Sequence, residues 1–293
     1  MQETLIIPLF AQKVCSELYP NLYRDETSIR LIDEIDYDFS EAEKNSRSLM
    51  QRFGSLEVAM RQNDLAWEVR DYLKSHPTAA VVNLGCGLDS TGRACDNGSC
   101  KIYNLDFPDV IAVRNELLPA GEREENIPCN LNDTAWFSQI DASGGAVFFA
   151  SGVFYYFLME QVKALAQAMA GAFPGGVLVF DAANRTAVKM IAKTWLKSAK
   201  IKDVGAYFAV SNAPKEIGAW DSFTGHEPRL YAGLQRPSRP IRQRLFPFPR
   251  KGRRPRNEDA DREDRIRRSA MKILVYGAGV LGCNLARNLF RAG

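Results

Sequence analysis

The chain has 293 residues, of which 46% are hydrophobic and 25% are charged, so its composition is that of a globular protein with a core of normal size. No run of about 18 apolar residues is present, which excludes a membrane-spanning helix. The net charge of +3 comes from the basic segment 236–270, because the rest of the chain is mildly acidic. A nucleic-acid-binding face on the main body is therefore not expected.

The six cysteines indicate a reducing compartment. They form no Cys-x-x-Cys pair and have no histidine close in sequence, so a metal site is not expected. The apolar run near the amino terminus is interrupted by Pro8 and has no basic residue before it, which argues against a signal peptide. Reduced, mostly buried thiols in a cytoplasmic protein are the simplest interpretation.

Residues 5–75 are predicted to be mostly helical. Ile29, Ile32 and Ile35 suit an amphipathic helix that begins near Asp25, and a second long pattern runs from about residue 41 to residue 74. A helical section before a first strand is common as a cap over a sheet, although packing alone is the alternative.

Five apolar stretches then predict strands that alternate with helices. The predicted strands are Ala80–Leu84, Lys101–Asp106, Asn126–Leu131, Gly145–Ser151 and Val177–Asp181. Longer helices are predicted over 108–117, 155–173 and 185–198. This alternation indicates a parallel sheet of the α/β class with right-handed crossovers.

The regular pattern fails beyond Trp220, where only Ala206–Val210 and Leu230–Leu234 offer weak candidates for a terminal hairpin. Residues 236–270 are rich in arginine and proline and predict disorder, with a basic arm for RNA or acidic lipid as the alternative. A frameshift near 221–235 would account for this change. We therefore hypothesise that residues after about 235 are not the native tail.

A new pattern begins at Met271, where a predicted strand runs into a complete G-x-G-x-x-G motif at Gly277, Gly279 and Gly282. It resembles the start of a ketopantoate reductase-type NADP-binding domain. One strand and one helix cannot enclose a dinucleotide, so a truncated, non-functional fragment is expected. The predicted parts of the chain are a helical cap (1–76), an α/β domain with an incomplete terminal hairpin (77–235), a disordered linker (236–270) and this fragment (271–293).

The main chemical signal lies where the first two predicted strands end. The first strand runs into Gly85 and Gly87, and the second ends at Asp106. Glycines let a ligand approach the backbone closely, and an acid at the end of the next strand can accept hydrogen bonds from both ribose hydroxyls. Ser90 stands where a dinucleotide fingerprint has its third glycine, so the pattern favours a nucleoside ligand without a pyrophosphate.

Five stretches, in order, resemble the leucine carboxyl methyltransferase superfamily and, more closely, its bacterial polyketide-type O-methyltransferase branch. They are Thr4–Leu9, Ile35–Phe39, Asn83–Ser90, Tyr103–Pro108 and Ser151–Tyr156, within a resemblance that covers about residues 4–220. The resemblance implies an α/β fold, namely a Rossmann-like class I methyltransferase sheet with a helical amino-terminal cap. It also implies S-adenosyl-L-methionine as cofactor and methyl transfer to a carboxyl or hydroxyl oxygen of a small molecule, for example a polyketide-like acceptor.

The resemblance assigns cofactor-binding roles to eight positions. Arg61 matches the arginine that binds the methionine carboxylate, and Asp106 matches the acid that binds the ribose. The other matched positions are Gly85, Gly87, Asp89, Asn130, Leu131 and Ser151. Asn130 and Ser151 depart from the family, in which an aspartate and, in many members, a glutamate stand at these places. A surface ion pair for Arg61 and a helix cap for Asp106 are the structural alternatives.

Tyr155 and Tyr156 are candidates for the acceptor pocket, with a role in the core as the alternative. The two histidines, His76 and His226, lie away from the expected site, so a histidine base is not expected. Methyl transfer from an activated sulfonium mainly requires alignment of the acceptor. Two other interpretations stay open: a degenerate cofactor-binding or scaffold protein, and an NADP-dependent reductase fragment in 271–293.

Overall fold

The computed structural model describes residues 3–46, 48–191, 207–217, 220, 226–229 and 271–277. The helices are α1 (Glu3–Leu18), α2 (Glu26–Glu34), α3 (Ser40–Ser46), α4 (Leu49–Ser75), α5 (Thr91–Ala94), α6 (Pro108–Leu117), α7 (Met159–Ala172), α8 (Arg185–Ile191) and α9 (Ala213–Glu216). The strands are β1 (Ala80–Leu84), β2 (Lys101–Asp106), β3 (Glu124–Pro128), β4 (Ala146–Ala150), β5 (Val177–Ala182), β6 (His226–Arg229) and β7 (Lys272–Gly277). Short 3₁₀ helices cover Thr134–Gln139 and Phe154–Tyr156.

The predicted helical cap is confirmed. Helix α2 begins after Asp25, whose carboxylate accepts hydrogen bonds from the backbone N–H groups of Thr27 and Ser28. The second helical pattern, predicted from about residue 41 to residue 74, corresponds to two helices, since α3 ends at Ser46 and α4 begins at Leu49. Asn45, Ser46 and Ser48 lie at this division, and short polar side chains of this kind compete with the helix backbone for hydrogen bonds.

The described strands form one parallel sheet in the order β3-β2-β1-β4-β5-β7-β6. Strand β1 has β2 on one side and β4 on the other, so the strand order reverses there. Ligands of open α/β sheets bind at such a switch point, beyond the carboxyl ends of the strands. Strands β1 and β2 have the predicted bounds, whereas β3 ends at Pro128 rather than at Leu131, since proline has no N–H to continue the ladder.

Alternate residues of the strands build two cores, one on each face of the sheet. Val82 and Phe148 face α7 in a cluster that includes Trp136, all of them at most 1% exposed. Val81 and Phe149 face α4 in a second cluster. Burial on both faces explains why the central strands are apolar throughout. Among the described residues, no helix has the length and apolar character that spanning a bilayer requires.

The carboxyl-terminal strands differ from the sequence prediction. The expected antiparallel hairpin is wrong for the described residues, since β6 and β7 both run parallel to β5. Residues 207–210 are not a strand, and Leu230–Leu234 lies outside the described residues. Strand β7 was assigned to a separate fragment, but it lies beside β5 with Ile273 and Tyr276 fully buried. The four-part division of the chain stays a prediction, because residues 230–270 and 278–293 are not described.

Replacing Ile273 with alanine tests whether β7 is part of the folded sheet. Ile273 is 0% exposed in the core that contains Phe148. We expect Ile273→Ala to lower the free energy of unfolding by about 2–5 kcal/mol, measured by urea denaturation, because the deletion leaves a cavity. The neighbouring Lys272 is exposed, so Lys272→Ala is the matched control. Equal stability of both variants and the wild type would show that β7 does not pack in this sheet.

Candidate functional site

A cavity of about 510 Å³ opens at the carboxyl edge of the sheet, at the switch point beside β1. Its walls come from α1, α4, the loop after β1, the end of β2 and the segment after β4. Nine of the ten predicted site residues line it: Arg61, Gly85, Gly87, Asp89, Asp106, Leu131, Ser151, Tyr155 and Tyr156. The volume is in the usual range for small-molecule sites, about 300–1,000 Å³.

Asn130 is the predicted residue that does not line the cavity. It is exposed, and its side-chain oxygen accepts a hydrogen bond from the backbone N–H of Asn132 at 3.0 Å. The chain has already turned away from the sheet at this point, because β3 ends at Pro128. Asn132 and Leu131 reach the cavity instead.

The glycine loop after β1 requires its glycines. Gly85 and Gly87 have φ angles of 67° and 47°, in the left-handed region that other residues rarely adopt. A Cβ atom on Gly85 would also lie 2.7 Å from both methyl groups of Val153. The loop therefore packs tightly against the segment after β4, and both segments face the cavity.

The backbone of this loop is hydrogen-bonded to a buried arginine that was not identified from the sequence. Arg114 of α6 is 1% exposed, and its guanidinium donates to the backbone oxygens of Gly87 and Asp89 at 2.9 and 2.8 Å. It also donates to the side-chain oxygen of Asn126 at 3.2 Å. The alternation of apolar residues along α6 gives no signal for this role, because the contact depends on how α6 lies across the loop.

Asp89 fixes the same loop from the side of the cap. Its carboxylate accepts hydrogen bonds from Asn83 at 3.0 Å, Gln62 at 2.6 Å and Thr91 at 2.7 Å. Gln62 in turn accepts a hydrogen bond from the hydroxyl of Tyr23, so the helical cap is tied to the glycine loop. Asp89 lines the cavity, and these internal donors take three of the roughly four acceptor positions on its carboxylate.

Asp106, at the end of β2, retains capacity for a ligand. One carboxylate oxygen accepts the N–H of Gly87 at 2.8 Å, and the other accepts the N–H of Phe107 at 2.8 Å. An ionised carboxylate can accept about four hydrogen bonds, so two positions remain. Burial raises the pKa of Asp106, while these two backbone hydrogen bonds lower it. Donors from a ligand would stabilise its charged form further.

Asp181, at the end of β5, joins three parts of the site and was not identified from the sequence. Its side chain is 3% exposed and accepts hydrogen bonds from Arg61 at 3.1 Å, from the N–H of Gly152 at 2.6 Å and from the hydroxyl of Tyr155 at 2.8 Å. A Cβ atom on Gly152 would lie 3.2 Å from the Arg61 guanidinium. Arg61 is thus held against the loop after β4 and is not part of a surface ion pair.

The two candidate acceptor-site tyrosines differ in exposure. Tyr155 is 6% exposed and bonded to Asp181, so it belongs to the core as well as to the cavity wall. Tyr156 is 39% exposed and presents its phenol at the cavity. Ser151 lies directly after β4, beside Gly152, and also lines the cavity. The predicted contacts of these residues with a ligand stay predictions.

Cys86 and Cys129 line the cavity, whereas His76 lies away from it. Burial raises the pKa of the Cys95 and Cys129 thiols to about 12, which keeps both protonated at neutral pH. His76 stacks on Tyr72 and approaches Gly145 before β4, at the opposite end of the sheet. No group of three metal-binding side chains occurs within the part of the chain that the structure describes.

Comparisons with known proteins agree with this geometry. The family described as leucine carboxyl methyltransferase matches residues 10–170, which is more than half of the chain. The tetracenomycin polyketide synthesis O-methyltransferase TcmP of Streptomyces glaucescens is 28% identical over 186 residues, which are 62% of this chain and 66% of that protein. The chain thus spans slightly less than two thirds of that relative.

A solved structure supports the fold. A crystal structure from Thermobifida fusca YX, assigned as a methyltransferase, superimposes with a TM-score of 0.50 at 19% identity. The match covers 78% of this chain and 86% of that chain. The class I methyltransferase fold expected from the sequence is therefore confirmed.

Removing the Asp181 carboxylate should destabilise the whole site. We expect Asp181→Ala to lower the free energy of unfolding by about 3–5 kcal/mol, because it removes the buried carboxylate that pairs with the Arg61 guanidinium. Urea denaturation measures this loss. Asp141→Ala is the control, since Asp141 pairs with Lys101 on the surface and its loss should change stability little. Similar effects of the two variants would contradict the central position of Asp181.

Proposed function

Because the chain belongs to the leucine carboxyl methyltransferase family, we propose that it is an S-adenosyl-L-methionine-dependent O-methyltransferase that acts on a small molecule. The acceptor oxygen belongs to a carboxyl or a hydroxyl group, and the enzyme works in the cytoplasm. The dispersed family motifs and the fold support this proposal, and the cavity at the switch point supplies a site of suitable size.

The observation that carries the proposal is Asp106 beside the glycine loop. Its carboxylate keeps two acceptor positions at the edge of a cavity whose floor is the loop from Gly85 to Gly87. Two adjacent ribose hydroxyls provide donors of matching number. The residues present therefore fit a nucleoside, and nothing in this loop is shaped for a pyrophosphate, since Ser90 replaces the third glycine.

The cavity also fits the charged remainder of the cofactor. Arg61 would bind the methionine carboxylate, since a guanidinium pairs with a carboxylate through two parallel hydrogen bonds. Leu131 and the other apolar lining residues would contact the adenine. When bound, S-adenosyl-L-methionine supplies a methyl group already activated on a sulfonium. The protein then has to orient the acceptor and exclude water. The apolar side chains of α1 that line the cavity, such as Leu5 and Leu9, would help to exclude water.

The acceptor would enter near Tyr155 and Tyr156, which line the cavity after β4. Tyr156 is the more exposed of the two and offers a hydroxyl and a flat ring to an aromatic compound. TcmP is an O-methyltransferase of polyketide synthesis, which supports a polyketide-like acceptor for this chain as well.

Calorimetric titration with S-adenosylhomocysteine, the product form of the cofactor, tests the proposal. The wild-type chain should bind it, and Asp106→Ala should weaken binding by about 100-fold or more, because two hydrogen bonds to a charged acceptor are lost. Asp109→Ala is the matched control, since Asp109 is exposed on the first turn of α6 and does not line the cavity. Its affinity should equal that of the wild type.

Three outcomes would contradict the proposal. Binding of neither S-adenosylhomocysteine nor NADPH would favour a scaffold protein that has lost its cofactor. Binding of NADPH alone would favour the reductase fragment at residues 271–293. Tight S-adenosylhomocysteine binding without methyl transfer to any carboxyl or hydroxyl compound would leave a cofactor-binding protein that is not an enzyme.

A further inference from the structure

Glu57 is an acidic residue on the cavity wall that the sequence analysis did not single out. It lies on α4, four residues before Arg61, and both side chains line the cavity. Residues four apart on a helix lie on the same face, with Cβ atoms about 6 Å apart. The wall of α4 thus presents a carboxylate and a guanidinium one helical turn apart.

The Glu57 carboxylate differs from the other carboxylates that line the cavity. Asp89 accepts hydrogen bonds from three side chains, and Asp106 accepts them from two backbone N–H groups. No described residue donates a hydrogen bond to Glu57. A half-buried carboxylate without donors is unfavourable unless a ligand or solvent supplies them.

The charges around Glu57 favour a cation. The other charged residues that line the cavity, within the described residues, are Asp89, Asp106 and Arg61. Arg61 already has Asp181 of β5 as its partner at 3.1 Å, so its positive charge is partly balanced. Burial raises the pKa of Glu57, the positive charge of Arg61 lowers it, and Asp181 raises it again. A bound cation next to Glu57 would relieve this cost of burial.

We propose that Glu57 accepts a hydrogen bond from the ammonium group of the cofactor's methionine end, so that Glu57 and Arg61 together bind an amino-acid zwitterion. The inference rests on the proposed function. An amino acid carries its carboxylate and its ammonium on one carbon, and the two wall residues offer the opposite charges side by side.

Two ligands that differ in the amino-acid part test this assignment. S-adenosylhomocysteine has the ammonium and the carboxylate, whereas 5′-methylthioadenosine keeps the nucleoside and lacks both. In calorimetric titrations, Glu57→Gln should bind S-adenosylhomocysteine about 10- to 100-fold more weakly than the wild type, because a charged hydrogen bond is lost. Its affinity for 5′-methylthioadenosine should not change.

Asp71→Asn is the matched control. Asp71 is an exposed residue of the same helix, paired with Lys74 at 3.0 Å, and the same carboxylate-to-amide change there should alter neither affinity.

The Glu57→Gln variant is expected to fold. Because burial raises its pKa, Glu57 contributes most stability at low pH, and that contribution is lost as the pH rises through the raised pKa. At neutral pH the neutral glutamine should therefore leave the melting temperature of the ligand-free protein unchanged or higher. A lower melting temperature would show that Glu57 has a structural role instead.

Three results would overturn the assignment. Glu57→Gln could bind S-adenosylhomocysteine as tightly as the wild type, or it could lose affinity for both ligands equally. It could also lose turnover while keeping cofactor affinity, which would mean that Glu57 acts on the acceptor. If the wild-type protein binds neither ligand, the proposed function is contradicted, and the zwitterion assignment fails with it. If the wild type binds S-adenosylhomocysteine and only the Glu57→Gln result differs from expectation, the zwitterion assignment alone fails.

Discussion

The geometry of the cavity depends on a loop whose backbone is held by buried polar side chains. The Arg114 guanidinium binds the oxygens of Gly87 and Asp89, and the Asp89 carboxylate binds side chains of β1 and α4. Left-handed glycines cannot stabilise such a loop alone, since glycine has the most conformational freedom to lose on folding. The polar contacts supply the rigidity, and the glycines supply the close approach. A ligand therefore meets a preformed surface and does not have to order it.

A second buried carboxylate gives the opposite wall the same rigidity. Asp181 holds Arg61, Gly152 and Tyr155, which come from α4 and from the segment after β4. Reactions that need alignment more than acid–base chemistry depend on such fixed walls, because small displacements of the reacting groups cost large factors in rate. The site thus has two rigid sides, and the cap helix α1 covers it, with Leu5 next to Gly87.

The sequence predicted those features that depend on local pattern. The bounds of β1 and β2, the start of α2 and the positions of Gly85, Gly87 and Asp106 follow from apolar runs, caps and strand ends, which are encoded by neighbouring residues. Arg114, Asp181 and Glu57 could not be recognised, because a polar residue in a helix or strand has the same local pattern whether it faces solvent, a loop or a cavity. Asn130 does not line the cavity, since β3 ends at Pro128, three residues before its predicted end. The parallel arrangement of β6 and β7 was missed because strand pairing over this distance along the chain has no local signal.

Hydrogen–deuterium exchange with and without S-adenosylhomocysteine tests the central claim, that the loop after β1 and the end of β2 form the cofactor site. The account predicts slower exchange on ligand addition in peptides that cover 83–90, 106–110 and 151–157, because bound ligand restricts opening of these segments. It predicts no change in 271–277. Unchanged exchange in 83–90 at saturating ligand, or protection confined to 271–277, would contradict it.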